Sequence, residues 1–377
     1  MNILLVHPEG NANYNANLLG LIELLGEAGH RVTYAAPRMR ALNQDFTQPF
    51  ISAVLVKRAP IDGRFIFAPA GSFRLLGAGR DLHAWRGYDL VLGIDRGIIE
   101  AARIARHHAI PHALLSYEIF FGDEMPAGFK EPEVEACRDL AFAICQDGVR
   151  TAHLCRENAI RADIVVQIPV AGRGFLGDMP KTGVLHASLG LAAHRKVALH
   201  MGSFASWTGA PFLLESTRAW PDAWVLVVHE RYGATEATRE LIRTHADPGR
   251  VHLSEARFAD ARRMSDFIRS ADLGVALYRP GYEDGWTGGN IEHIGLSSGK
   301  IATYLQHGVP VATHELGEIS TLIRRHGAGQ VFPLDRPFIP AIPASPGKAC
   351  RELFETHLDL DRFGASFLQA VASHQGA

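Results

Sequence analysis

The stretch Gly295-Leu-Ser-Ser-Gly-Lys300 carries side chains suited to chemistry on a phosphate. Ser297, Ser298 and Gly299 open a helical pattern. At a helix start the first backbone N–H groups lack intrahelical partners, and the helix dipole adds partial positive charge. Serine hydroxyls can donate to phosphate oxygens. Gly299 lets the backbone approach closely, and Lys300 adds a full charge. Gly295–Lys300 together suit a diphosphate. A plain serine cap followed by a surface lysine fits the same residues. The stretch follows a glycine-rich loop, Gly281–Gly289, and leads into Gly308-Val-Pro-Val311.

Other residues have less to say. His7 and the loop Glu9-Gly10-Asn11-Ala12-Asn13 end the first strand pattern. His7, Gly10 and Asn13 are candidates for touching an acceptor or a donor phosphate, although Asn-rich turns also occur without function. The 19 histidines are scattered, with only His107 and His108 adjacent, and there is no HExxH or carboxylate cluster. No catalytic metal and no cofactor is expected.

Between Arg38 and Arg86 stand eight basic residues (Arg38, Arg40, Lys57, Arg58, Arg64, Arg74, Arg80, Arg86) against Asp45, Asp62 and Asp81. Phe65, Phe67, Phe73 and Trp85 interleave. Such a patch can rest on an anionic membrane surface or meet a phosphate-bearing, lipid-linked acceptor. A solvated basic face with core aromatics has the same composition.

The elements that must position these residues alternate. Ile3–His7, Arg31–Ala36, Ala53–Val56, Asp89–Ile94, Pro111–Tyr117 and Phe142–Cys145 read as strands. Helical patterns at Asn17–Ala28, Gly97–His107 and Glu133–Ala143 lie between some of them. Gly29 stops the first helix. After Ile168–Gly183, rich in glycine and proline, the alternation resumes. Strands are expected at Lys196–His200, Trp224–His229, Val251–Leu253, Leu273–Leu277, Val309–Thr313 and Val331–Phe332. Helices are expected at Pro211–Arg218, Glu236–Thr244, Ala259–Ser270, Ser298–His307 and Ile319–His326. The tail Lys348–Ser373 reads as one or two helices. This is an α/β chain with two parallel sheets. A length of 377 residues suits two domains. The expected division is residues 1–170, a linker at 171–182, and residues 183–345, followed by helices at 346–377.

A net charge of -2 excludes a chain built as a whole to hold nucleic acid. Cys137, Cys145, Cys155 and Cys350 form no CxxC pair, so reduced thiols are expected rather than a disulfide framework. The first residues hold no basic segment, and no apolar run reaches membrane-span length. A cytoplasmic protein is expected, with room for contact at the inner membrane face.

The order of the motifs is specific. A helix ending in Gly308-Val-Pro-Val311 after a phosphate loop resembles the GT-B glycosyltransferases related to group 1. So do Ala271-Asp-Leu-Gly-Val-Ala-Leu277 before it, and Gly317-Glu-Ile-Ser-Thr-Leu-Ile323 and Gly327-Ala-Gly-Gln-Val-Phe332 after it. The first strand, the Gly10 loop, the Leu-rich helix and Gly29-His-Arg-Val-Thr33 also look like that family. The resemblance implies two Rossmann-like domains facing across a cleft, the second holding a nucleoside-diphosphate sugar and the first an acceptor. It further implies C-terminal helices packing back towards the first domain, and a metal-independent sugar transfer to a hydroxyl of a glycan or lipid-linked acceptor.

Several residues gain roles from this resemblance alone. Relatives carry an Arg and a Lys after the first strand of the second domain, where Ser203 and Thr208 stand here. Arg231, after Trp224–His229, is a candidate to compensate, as is Lys300. The Glu-x7-Glu pair of such enzymes falls on Gly295 and Thr303. Asp284 and Glu292 have the spacing but lie out of register, and Glu283 is the acidic candidate for the donor sugar. Glu118 stands where relatives place a polar catalytic-pocket residue, and its carboxylate suits a general base. Asp95 is a second candidate of that kind. Asp147 and Arg150 either pair or cap the next helix.

Alternatives remain. A sugar-nucleotide epimerase of the same fold needs an acid–base set that is not evident. A dinucleotide oxidoreductase needs a GxGxxG turn, and only Gly10 is present. A non-catalytic partner that binds a sugar nucleotide or glycan fits the missing charges.

Overall fold

Ile3, Leu4, Leu5 and Val6 are all buried. Because a strand alternates its side chains, burial of every residue means that both faces of the sheet are covered. Ile3 and Leu5 join one core with Leu18, Leu21 and Phe367. Leu4 and Val6 join another with Ile98, Ile104 and Leu154. The computed structural model describes residues 1–37, 46–56, 82–230, 233–247, 249–258, 260–282 and 286–374. Most of the Arg38–Arg86 patch, together with Arg231, Glu283 and Asp284, lies outside the described residues.

Two units divide the chain: Met1–Arg173 with Leu360–Ala377, and Gly174–Asp359. In chain order the first holds β1 (Asn2–Val6), α1 (Ala16–Glu27), β2 (Arg31–Pro37), β3 (Ile51–Val56), β4 (Leu90–Ile94), α2 (Ile98–His108), β5 (His112–Leu115), α3 (Glu131–Ala136), β6 (Ala143–Cys145), α4 (Gly148–Asn158) and β7 (Val165–Gln167). Its sheet has the order β3-β2-β1-β4-β5-β6-β7. All the pairings are parallel, with Ile3 opposite Val32 on one side and Leu90 on the other. The helix expected at Glu133–Ala143 is shorter, because the N–H of Ala141 donates to the carbonyl of His112 and feeds β6 instead.

The second unit holds α5 (Val184–Leu189), β8 (Lys196–Met201), α6 (Ala210–Ser216), β9 (Trp224–His229), α7 (Glu236–His245), β10 (Val251–Ser254), α8 (Ala261–Arg269) and β11 (Leu273–Val275). There follow α9 (Gly289–Glu292), α10 (Gly299–Gln306), β12 (Val311–Thr313), α11 (Glu318–His326), β13 (Gly329–Val331) and α12 (Pro346–Leu353). The order is β10-β9-β8-β11-β12-β13. The last helix, α13 (Gly364–Ala372), belongs to the first unit, where Phe367 and Val371 are buried.

Each sheet has one place where successive connections depart in opposite directions. In the first unit it lies between β1 and β4, in the second between β8 and β11. The chain leaves a crevice at such a point, beyond the carboxyl ends of the strands. The loops after β1, β4, β8 and β11 therefore decide what either unit can bind.

Candidate functional site

In the second unit, Lys300 is carried to the end of β8 by a residue one helical turn later. Tyr304 is fully buried on α10. Its hydroxyl donates to the carbonyl of Leu199 and accepts from the N–H of Met201, both at 2.8 Å. Gly274 makes the space, since a Cβ there would meet the tyrosine ring at 2.3 Å. Residues i and i+4 share one helix face, so docking Tyr304 on β8 aims Lys300 at the strand's end. The Lys300 ammonium lies 3.3 Å from Nε2 of His200. Gly202, at φ +114°, keeps the path open, because a Cβ there would press on the lysine Cε at 3.3 Å.

Ser298 caps α10, its hydroxyl accepting from the N–H of Ile301 at 3.3 Å. That hydroxyl also pairs with Tyr278 at 2.6 Å and is buried. The serine that opens the helix is thus occupied in holding it to the loop after β11. Gly295 and Ser297 form a 3-10 turn just before it, with Gly295 at φ +42°. Gly295, Ser297, Gly299 and Lys300 are half-buried. Ser203 offers its carbonyl to His200 at 2.9 Å. Thr208 is buried, its hydroxyl bonded to the backbone of Ala205. The half-buried Trp207 and Trp286 meet edge to face at 5.5 Å beside Tyr278.

The Tyr304 bridge has a measurable weight. Tyr304→Phe leaves a buried N–H and a buried C=O without their partner, and is expected to lower unfolding free energy by about 1–3 kcal/mol. Urea unfolding checks this, and an unchanged midpoint would show that the bridge carries no stability.

In the first unit, the loops after β1 and β5 bring Glu9 and Glu118 into the field of Asp95, which follows β4. Asp95 ends β4 at φ +48°. Among the described residues, the other non-glycine residues at positive φ, Ala109 and Ala159, are ordinary left-handed helix caps. Asp95 has no such reason, and strained positions of this type concentrate at functional sites. Its turn is tight. A Cβ on Gly93 would meet Ile98 Cα at 2.4 Å, and one on Gly97 would meet the Val6 carbonyl at 2.3 Å. Asp95 Oδ1 accepts from the N–H groups of Tyr117 at 2.6 Å and Glu118 at 2.9 Å. Burial, then the charge of Glu118, then that of Glu9 hold its pKa well above the usual carboxylate range, against the pull of those two N–H bonds.

Glu118 is half-buried on a turn held from several sides. Arg150, fully buried on α4, donates from Nη2 to the carbonyl of Tyr117 at 2.7 Å and from Nε to Gln146 at 2.8 Å. Gln146 in turn donates to the carbonyl of Ser116. The hydroxyl of Ser116 reaches the carbonyl of Glu118 at 3.1 Å. Asp147 caps α4 through the N–H of Arg150. Tyr117 donates to Asn17 Oδ1 at 2.9 Å, and Asn17 ties down the carbonyls of Pro169 and Ala171. Asp95 is therefore a support of the Glu118 turn.

His7 is buried against the hydroxyl of Tyr34 at 2.7 Å. Burial holds its pKa down to about 3, so the ring is neutral at ordinary pH. Gly10, at φ +67°, turns the loop, and Asn11 donates to Glu9 at 2.7 Å. Asn13 sits in the short 3-10 turn Ala12–Tyr14, and its side chain lies outside the described residues.

Sucrose-phosphate synthase from Thermosynechococcus elongatus has a similar structure, with a TM-score of 0.72 and 14% identity, covering 99% of this chain and 98% of that one. Anabaena HepE, solved with UDP-glucose, is similar with a TM-score of 0.70 and 14% identity, over 99% and 100% of the two chains. WaaG, a glycosyltransferase involved in lipopolysaccharide biosynthesis, reaches 0.58 at 11% identity over 99% and 95%. The chain has the GT-B fold. No protein-family model matches it, and no curated protein matches it by sequence.

Thr208 is consumed by its own turn. Among the described residues no group of three or more His, Cys, Asp or Glu could hold a metal ion, and no helix is long and apolar enough to cross a membrane. Sequence reasoning passed over His200, Tyr304, Gln146 and Asn17. Only Tyr304 left a signal, its four-residue spacing from Lys300.

Proposed function

We propose that this chain is a glycosyltransferase that moves a sugar from a nucleoside-diphosphate donor to a hydroxyl of a glycan or lipid-linked glycan. The observation that carries the reading is the Lys300 ammonium, delivered by the Tyr304 dock to the switch point of the second sheet, beside the start of α10. A diphosphate there meets a full positive charge and the helix N-terminus together. Both act most strongly as the bond from the anomeric carbon to the diphosphate breaks and negative charge collects on the leaving group. The acceptor oxygen forms the new bond to that carbon, and its proton passes to Glu118. This assignment of Glu118 rests on its half-buried place at the carboxyl end of β5 and on the rigidity of its turn. Lys300 and the helix start suffice for the leaving group without a metal ion in this scheme.

UDP resides in two structures of Anabaena HepE, a protein of similar fold, which makes UDP-sugars the first donors to try. The purified protein is expected to hydrolyse or transfer from at least one member of a panel of nucleoside-diphosphate sugars offered with glycan and lipid-linked acceptors. Ser203, Thr208, Gly295 and Thr303, where the resemblance leads one to expect an Arg, a Lys and a glutamate pair, favour one second reading, a non-catalytic partner that binds a sugar nucleotide or glycan. A donor that raises the melting temperature while no member of the panel turns over would establish that reading instead.

A further inference from the structure

His200 is fully buried at the end of β8, and its Nε2 faces two groups at once. The carbonyl of Ser203 lies at 2.9 Å and the Lys300 ammonium at 3.3 Å. Its other nitrogen, Nδ1, is buried and has no hydrogen-bond partner among the described residues. A neutral imidazole carries one proton, on one nitrogen or the other. With the proton on Nε2, the ring donates to Ser203 but turns an N–H towards the N–H groups of Lys300. With the proton on Nδ1, Nε2 accepts from Lys300, while the Ser203 carbonyl loses its donor and a buried Nδ1–H meets nothing. Neither tautomer satisfies the ring, the Ser203 carbonyl and the Lys300 ammonium together. A third, doubly protonated form is disfavoured, because burial and then the charge of Lys300 hold the pKa of His200 well below the ordinary value.

We propose that His200 is a positioning residue that pairs with Lys300 and hands it over when a diphosphate arrives. The anion draws the ammonium away from Nε2. The proton then settles on Nε2, which donates to the carbonyl of Ser203 and fixes the turn Gly202–Ser203 beside the bound phosphates. The latch is local. Tyr304 sets the base of the Lys300 side chain, Gly202 leaves its path open, and only the end of the lysine moves. The inference rests on the reading of Lys300 as the diphosphate anchor.

The test is the ring-nitrogen signature of His200 in the 15N-labelled full chain, without ligand and saturated with UDP or inorganic pyrophosphate. The expected result is a mixture of tautomers in the free protein and the Nε2-protonated form with either probe. His200→Gln, whose amide can still donate to Ser203, is expected to keep UDP affinity within roughly threefold, whereas His200→Phe loses about tenfold. An unchanged tautomer at saturation overturns the latch, and so does a folded His200→Phe variant that binds UDP like the wild type. The wild-type spectra decide the matter even if His200→Phe fails to fold. Failure of both probes to bind removes the Lys300 reading and the latch with it. Binding of pyrophosphate without UDP removes only the nucleoside, and the tautomer then still decides.

Discussion

Lys300→Ala is expected to weaken UDP binding by about 30-fold or more, the scale of roughly 2 kcal/mol lost with a charge-assisted bond. The effect should be large because Thr208 is committed to its own turn and Ser298 to its cap and Tyr278. Among the described residues at the start of α10, that leaves the Lys300 ammonium and the helix start behind it to attract a diphosphate. Lys300→Arg should recover only part of the loss. The planar fork is longer and its charge more spread, and the path past Gly202 is narrow. Calorimetric titration with UDP is the measurement, and an affinity unchanged in Lys300→Ala would sink the phosphate assignment. Added salt should reduce the difference between variants, because part of it is charge attraction.

Glu118→Gln should leave UDP affinity within about twofold and lower kcat for transfer by about a hundredfold to ten-thousandfold, the usual weight of a positioned general base. The two readouts should separate, because a general base acts on the acceptor's proton and not on the donor diphosphate. The amide preserves the volume and the turn, which is held through backbone groups by Asp95 and Arg150. Transfer at the wild-type rate would remove Glu118 as the base. A parallel loss of UDP affinity would mean that the substitution disturbs more than a proton acceptor.

Much of the fold was legible because buried parallel strands write themselves as short apolar runs. Ile3–Val6 and Trp224–His229 could hardly be anything else, since every one of these residues is buried. Helix α4 was less visible. Its buried face is Arg150, Thr151, Leu154 and Asn158, a polar face that apolar periodicity does not detect. Lys300 could be singled out as a candidate because a serine, a glycine and a lysine at a helix start have local meaning. His200 could not. It stands 100 residues from the lysine it faces, and nothing in either segment announces the other. Asp95 and Glu118 were visible as acids at strand ends, but their unequal surroundings were not. That difference depends on which carboxylate oxygen receives two backbone N–H groups, a matter of three-dimensional packing.

The spacing of Lys300 and Tyr304 ties accuracy at the surface to a choice made in the interior. The helix is indexed against the sheet by one hydroxyl wedged between Leu199 and Met201. Slipping the sequence of α10 by a single position would turn the lysine about 100° around the axis and shift it about 1.5 Å along it. Residues 301–303 thus act as a ruler of fixed length between core and solvent. Side chains there can vary with their neighbours, but their number cannot.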